Sequence, residues 1–319
     1  MHRICLVALS LVLAVTAPAL AAYPDRVVKI IVPFPAGGTT DILARLIGAQ
    51  LEKRLGQAFI IENRGGASGN IGSAAVAQAP PDGFTLVMAT INTHGINASV
   101  FKLPHDVEKD FAPITVVAST PNVLMVHPSL GVATVGELVT LAKDKPGTLS
   151  FGSTSTGGSP HMSGELFKLL TRTDIQHIPY RGGGPMLNDL VGGHVKMAFD
   201  NMPSAIAHIR AGTVRALAVT TPRRWPGLPD VPTMAESGVE GYDVSAWFGL
   251  LAPARTPRDI VDLLHRHISE TLKEEPMRRR LDELGADPVG NTPDEFARQI
   301  TAEVSKWRDV VAATGIKVD

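Results

Sequence analysis

Two short stretches hold the residue types from which a binding site can be made. The first is Pro35-Ala36-Gly37-Gly38-Thr39-Thr40-Asp41: a glycine pair, two hydroxyls and a carboxylate, placed just after the apolar run Val27–Phe34. The residues beyond it put Ile42, Leu43, Leu46, Ile47, Leu51 and Leu55 on one helical face. Strand, glycine turn and helix in that order leave bare N–H groups at the positive end of the helix, beside glycines that let a ligand reach the backbone. That is a site for an anion. Thr39, Thr40 and Asp41 are also good N-cap types, so a carboxylate of the chain itself, Asp41, competes with any ligand.

The second stretch is Ser155-Thr156-Gly157-Gly158-Ser159, ahead of Pro160 and His161. It repeats the first: a strand, a glycine pair, hydroxyls, the start of a helix. Two such loops facing each other suit a small molecule with one or two carboxylates. A charge at a helix N-terminus gains roughly 0.3–1 kcal/mol when exposed and up to about 2 when partly buried. Hydrogen bonds to charged groups add about 1.5–3 kcal/mol each, so a few support micromolar binding without an arginine. No Gly-Lys-Ser/Thr ending closes either loop. A nucleotide P-loop is thereby excluded, and free phosphate or sulfate is the rival anion.

The candidate contacts follow from these loops and from neighbouring strand ends. Phe34 stands at a strand's mouth as a pocket wall. Ala36, Gly37 and Gly38 offer backbone N–H groups or serve a plain turn. Thr40 and Asp41 are contacts or caps. Ser155, Thr156, Gly158 and Ser159 mirror them in the second loop. His161 lies in a first helical turn, where the dipole disfavours imidazolium, so a neutral hydrogen-bonding ring is expected. Thr90 and His94 follow the strand Thr85–Thr90, at a carboxyl end where open α/β sheets bind ligands. Asp200 closes the strand His194–Asp200, either to meet a ligand ammonium or hydroxyl or to anchor loops. Trp247 is a cleft residue or a core residue.

Catalysis needs a matched set, and none is evident. His265 and His267 are two apart on a helix and point to different sides. There is no HExxH motif, no cysteine ligand and no G-x-S-x-G frame. No metal and no cofactor is expected. The enzymatic alternative is a hydrolase using Ser153 or Ser159 with His161.

Composition sets the setting. The 319 residues carry 30 basic and 31 acidic side chains, with no dominant basic patch, which argues against nucleic acid as a partner. Residues 1–21 read as a signal peptide: Arg3, an apolar core from Leu6 to Val15 too short to span a bilayer, then Pro18-Ala19-Leu20-Ala21. The only cysteine, Cys5, falls inside it. An exported chain without disulfides must rely on its core, which suits a large periplasmic protein and a monomer.

Strand and helix patterns alternate along most of the chain. Two extended pieces, Phe111–Ser119 and Asn122–His127, are broken at Thr120-Pro121, and Val244–Leu251 is a long apolar strand. Thr134 and Glu137 form a capping box. Thr256-Pro257 and Thr292-Pro293 each announce a helix, and Phe296, Ile300, Val304, Trp307 and Val311 mark a core face. The expected organisation is two α/β lobes joined by two antiparallel strands that act as a hinge. The lobes are residues 22–124 with 249–319, and residues 125–248.

Several segments together resemble one family. They are YPDRVVKIIVPFPAGGTTDILARLIG, IENRGGASGNIGSAAVAQAPPDGFTL, FGSTSTGGSPHMSGELFK, HIPYRGGGPMLNDLVGGHVKMAFDN, RALAVTTPRRWPGLPDVPTMAESG and WFGLLAP. The chain resembles the Bug-type solute-binding proteins of tripartite tricarboxylate transporters over essentially its whole mature length. The resemblance implies a type II periplasmic-binding-protein fold, with carboxylate recognition by backbone amides, hydroxyls and waters from loops matching Phe34–Asp41 and Ser153–His161. It also favours Asp200 as a pocket residue. The implied partners are a small organic carboxylate and the membrane permease subunits, with a sensor kinase ectodomain as the alternative recipient.

Overall fold

The computed structural model describes residues 23–314. The expected leader over residues 1–21, with Cys5, lies outside the described residues. Strand β1 (Val28–Val32) leads through the first glycine loop into α1 (Thr39–Leu55). There follow β2 (Phe59–Asn63), α2 (Asn70–Ala77), β3 (Thr85–Thr90), a π-helical turn at Asn92–Ile96, the single turn α3 (Asn97–Val100) and β4 (Phe111–Val126). A second run holds α4 (Val135–Asp144), β5 (Leu149–Ser153), α5 (Ser159–Thr171), β6 (Ile175–Pro179), α6 (Gly183–Val191), β7 (Met197–Asn201), α7 (Met202–Arg210) and β8 (Arg215–Val219). The chain then returns through β9 (Ser245–Pro253) to α8 (Arg258–Lys273), α9 (Glu275–Leu284), the short β10 (Asp287–Pro288) and α10 (Pro293–Thr314).

The strands are hydrogen-bonded in the order β2-β1-β3-β9-β4-β7-β5-β6, with β8 and β10 also on β4. β1 runs parallel to β2 and β3, and β5 runs parallel to β6 and β7, as strand–helix–strand units require. Among the described residues, β4 and β9 are the strands that run between the halves. Phe111–Pro121 of β4 pairs antiparallel with β9, whereas Asn122–Val126 pairs with β7 and β8. The break expected at Thr120-Pro121 is therefore not a break: β4 is one strand. Pro121 sits where the strand changes partners, the place where a missing N–H interrupts the ladder least.

Helices cover both faces of each half, so the strands read as near-continuous apolar runs. One buried cluster unites β1, β3, β9 and the C-terminal helices through Ile30, Leu86, Leu250, Phe296 and Trp307. The other half has two: one around Phe151, Phe167 and Phe199, one around Met125, Met186 and Met202. Thr134 caps α4 through the Glu137 N–H at 3.1 Å, and Thr292 caps α10 through the Glu295 N–H at 3.3 Å. Thr256 does not cap α8. Its hydroxyl donates to the Pro253 carbonyl, and Pro257 takes the cap position without a side-chain bond.

Candidate functional site

The two glycine loops have the same backbone. Gly37 has φ 87° and Gly157 has φ 74°, a left-handed setting open to glycine at little cost. Gly38 and Gly158 are the N-caps of α1 and α5, both extended, at φ −85° and −79°. In each loop the third helical residue reaches back to the first glycine. The Gly37 N–H donates to Asp41 Oδ2 at 3.1 Å, and the Gly157 N–H donates to His161 Nδ1 at 3.0 Å. Helix α1 thus does not begin with a side-chain cap at Thr39, Thr40 or Asp41. The cap residue is Gly38, and the Gly37 N–H is engaged by Asp41.

The two acceptors differ in charge. Burial pushes the Asp41 carboxyl up, but hydrogen bonds from Arg45, the Gly37 N–H and Asn63, with the Arg45 charge, outweigh it and hold it below the usual carboxylate range. Burial drives His161 down to about 4, with Glu165 opposing and Lys168 adding to the fall. Its ring stacks on His177 at 3.8 Å between centroids, and burial takes His177 to about 3. Because Nδ1 of His161 accepts, its proton sits on Nε2, which faces Glu165 at 3.7 Å. His161 is a neutral ring, as its place in the helix predicts.

Four helix N-termini converge on one cavity between the two halves. Its lining includes Gly38, Thr39 and Thr40 of α1, Ser159 of α5, Gly182 and Gly183 at the start of α6, and Asn201 at the start of α7. None of the four is capped by its own N-cap side chain, although at α5 the Ser159 N–H is taken by Asn92 of the other half. Lack of a cap also occurs at α8, so it is the convergence that marks the place. Asp200 lies on the same cavity, almost fully buried. Its Oδ2 accepts from Ser204 at 2.7 Å and its Oδ1 from the Asn201 N–H at 2.8 Å. Burial nevertheless pushes its carboxyl up to about 7, against those two bonds.

The halves touch across this cavity. The Ser159 N–H donates to Asn92 Oδ1 at 2.8 Å, Asn92 Nδ2 donates to Ser155 Oγ at 3.1 Å, and Thr39 Oγ1 donates to Ser204 Oγ at 3.1 Å. Ser68 Oγ donates to the Thr156 carbonyl at 2.9 Å. The inner cavity holds only about 30 Å³ of open space. It adjoins an outer vestibule of about 680 Å³, and Phe34 and Thr154 line both.

Phe34, Gly38, Thr40, Thr90, Ser159 and Asp200 are brought together on the inner cavity. Ser155 and Thr156 line the vestibule. Ala36 and Gly37 face solvent. Asp41, Gly158 and His161 stand behind the lining, as the bonds above describe. His94 and Trp247 are elsewhere. His94 is buried against Phe111 at 4.5 Å and receives or gives a bond at Thr93 Oγ1; Trp247 packs edge-on to Phe296 at 5.3 Å. Sequence reading included Thr39 and Thr154 only as members of the two loops and did not single out Asn92, Gly182, Gly183 or Asn201 as pocket residues. A signal existed for Gly182 and Gly183: the run Gly182-Gly183-Gly184 opens a helix, as the other two glycine pairs do. Glycine is needed there for close approach, since a Cβ on Gly182 would stand 3.0 Å from Pro35 Cδ.

The serine–histidine pairing of a hydrolase does not form from the expected residues. Ser159 Oγ points to Asn122 and Asn201, while His161 Nδ1 is taken by Gly157. Ser153 Oγ meets His177 Nε2 at 2.7 Å instead, with Ser153 fully buried and outside the cavity lining. Among the described residues no group of three or more His, Cys, Asp or Glu side chains is placed to hold a metal ion. No described helix is long and apolar enough to cross a membrane.

Known proteins resemble this chain over most of its length. A family profile described as the tripartite tricarboxylate transporter family receptor, TctC, matches residues 43–316. Protein BugT of Bordetella pertussis is 39% identical over 298 residues, covering 93% of this chain and 91% of BugT. The structure of R. palustris Rpa4515 with adipate superposes with a TM-score of 0.91 at 42% identity, covering 92% of this chain and 99% of the other. MatC (Rpa3494) from Rhodopseudomonas palustris with bound malate gives a TM-score of 0.85 at 36% identity, covering 91% of this chain and all of the other, 100%. The chain belongs to the tripartite tricarboxylate transporter receptor family, whose members are solute-binding proteins.

Proposed function

We propose that this protein is a periplasmic receptor that captures a small organic carboxylate between its two lobes and delivers it to a tripartite tricarboxylate-type permease. The observation that carries the reading is the convergence of four uncapped helix N-termini on one cavity. Such a cavity has donors and positive potential but no buried arginine or lysine in its lining. It therefore favours an anion that hydrogen bonds can surround, over a cation or a neutral solute. The acids bound by Rpa4515 and MatC, adipate and malate, support a carboxylate. The lining residues Gly38, Thr39, Thr40, Ser159 and Gly183 serve as its contacts. Asp200 is the acidic member of the site.

The lobes are residues 22–124 with 249–319, and residues 125–248. The handover in β4 at Pro121-Asn122 supports a hinge at that point, with β9 as the second crossing strand. The core adjusts the edges by a few residues: Val123 and Leu124 pack with the second lobe, Ala246 and Trp247 with the first. Closure orders both glycine loops around the ligand and gives the permease a shape that reports occupancy.

Thermal-shift screening of the mature protein against dicarboxylates, tricarboxylates, amino acids and phosphate tests the site. Carboxylates are expected to raise Tm without product formation. At a hundredfold excess over Kd the gain is about 2.7 kcal/mol. Stabilisation by phosphate alone, or turnover of a hit, overturns the reading. Uptake of the hit in cells lacking the gene, restored by the gene, tests delivery.

A further inference from the structure

The inner cavity is too small for a whole dicarboxylate. Its 30 Å³ holds little more than a carboxylate or its bridging waters. The rest of any longer ligand must pass Phe34 and Thr154 into the vestibule. That vestibule has Pro35 and the turn Gly65–Gly69 on one side, and Ser155, Thr156, Tyr180 and Arg181 on the other. Its turn is held against the opposite lobe by the Ser68–Thr156 bond.

Arg181 is the one charged side chain in the vestibule lining, and Asp200 the one in the inner lining. Arg181 is exposed, and among the described residues it makes no ion pair and no side-chain hydrogen bond. It directly precedes Gly182, the N-cap of α6, so its backbone is fixed by the same element that reaches the inner cavity. Its neighbour Tyr180 is held by a bond from its hydroxyl to Asp189 Oδ2 at 2.8 Å. A guanidinium so placed can meet a carboxylate in two-pronged fashion.

Building on the carboxylate reading above, we propose that Arg181 forms a second anion subsite, which takes the distal carboxylate of an extended dicarboxylate whose proximal carboxylate lies at the helix N-termini. The inner cavity then fixes the acid, and Arg181 sets the preference for a dianion of matching length. Tartronate-like short diacids and monocarboxylates reach only the inner site.

The test is calorimetric titration of the mature protein with succinate, glutarate, adipate and pimelate, each paired with its monomethyl ester. Wild type is expected to prefer the best diacid over its ester by about tenfold, and to lose part of that preference in added salt. Arg181→Gln is expected to bring the diacid down to the ester while ester binding holds. Arg181→Lys is expected to keep part of the preference. An unchanged diacid-to-ester ratio in Arg181→Gln, or an equal loss for both, overturns the subsite while leaving the carboxylate reading intact. If neither diacids nor esters bind, the carboxylate reading fails and the subsite falls with it.

Discussion

The loop before α1 and the loop before α5 place a left-handed glycine, an extended glycine and a helix start in the same order, yet the residue that ties each loop together differs. In the first it is Asp41, charged and braced by Arg45 and Asn63. In the second it is His161, neutral and stacked on His177. One lobe holds its loop with an ion pair at the surface, the other with a buried aromatic stack. The same anion-facing geometry therefore responds to different conditions in the two lobes.

Acid should separate them most. His161 is held low, near 4, while its unfolded value is 6.5. The folded state binds fewer protons, so this contribution is complete above about pH 6.5 and is lost as pH falls from there toward about 4. His177 and His94, both near 3, add to the same decline. For His161 the loss is on the order of 2–3 kcal/mol by pH 4. Denaturant unfolding across this range should show the decline, and His161→Asn, which keeps an acceptor for the Gly157 N–H, should flatten part of it. A stability curve that is level from pH 7 to 4.5 would break the comparison.

The glycines differ next. A Cβ on Gly158 would lie 2.5 Å from both Asn92 Nδ2 and Ser155 Oγ, the pair that bonds across the cleft. A Cβ on Gly38 meets only the Gly183 nitrogen, at 3.6 Å. Gly158→Ala should thus cost two inter-lobe bonds, about 2 kcal/mol or roughly thirtyfold in affinity. Gly38→Ala should change affinity less than about threefold. Gly38→Val, whose methyls project toward Gly183, should return to a loss above about tenfold. Titration with any ligand found in the screen reads all three.

The reverse asymmetry should appear with Asp41. The folded carboxyl is held below its ordinary value, so its contribution is present above about pH 4 and disappears as pH falls through the folded value. Asp41→Asn should lower stability at pH 7 by about 1 kcal/mol, as expected for a charge at a helix start. The gap from wild type should close as pH falls through the folded value. A gap that persists there would mean that Asp41 acts by shape and not by charge.

Much of this was legible from local order along the chain. Gly37-Gly38 and Gly157-Gly158 each sit between an apolar run and a helical stripe, and that pattern located both loops. The capping box at Thr134 and the helix start at Thr292 were legible for the same reason, while the same Thr-Pro signal at Thr256 did not give a cap. What failed were relations between distant segments. Asn92 reaches Ser159 only because a π-helical turn after β3 faces the second lobe, and no periodicity announces such a turn. Pro121 looked like a break because a proline usually ends a ladder; only the change of partners in β4 makes it tolerable. Trp247 and His94 lie near the cleft in sequence terms, but strand alternation in β9 turned Trp247 toward the core, and the π-helical turn buried His94 against Phe111. Asp200 stands at the end of its strand, one residue before Asn201, whereas its environment includes Gly183 at the start of α6, which strand periodicity does not announce.

The smallest effect tests whether the two lobes are latched as well as shaped. Thr39 Oγ1 donates to Ser204 Oγ, and Ser204 in turn donates to Asp200, so a hydroxyl of one lobe is tied to the acid of the other. Thr39→Val keeps the volume and removes the donor. Ser204 retains both Asp200 and the Asn201 carbonyl as partners, so no buried donor is stranded. The open form should lose nothing, because there the Thr39 hydroxyl has water. The closed form should lose one neutral hydrogen bond, about 0.5–1.5 kcal/mol, or a two- to tenfold fall in affinity. That fall should come as faster ligand release, measured by stopped-flow, with the unfolding midpoint of the ligand-free protein unchanged. An unchanged release rate would show that this contact accompanies closure without holding it, and would leave the Asn92–Ser159, Asn92–Ser155 and Ser68–Thr156 bonds as the latch.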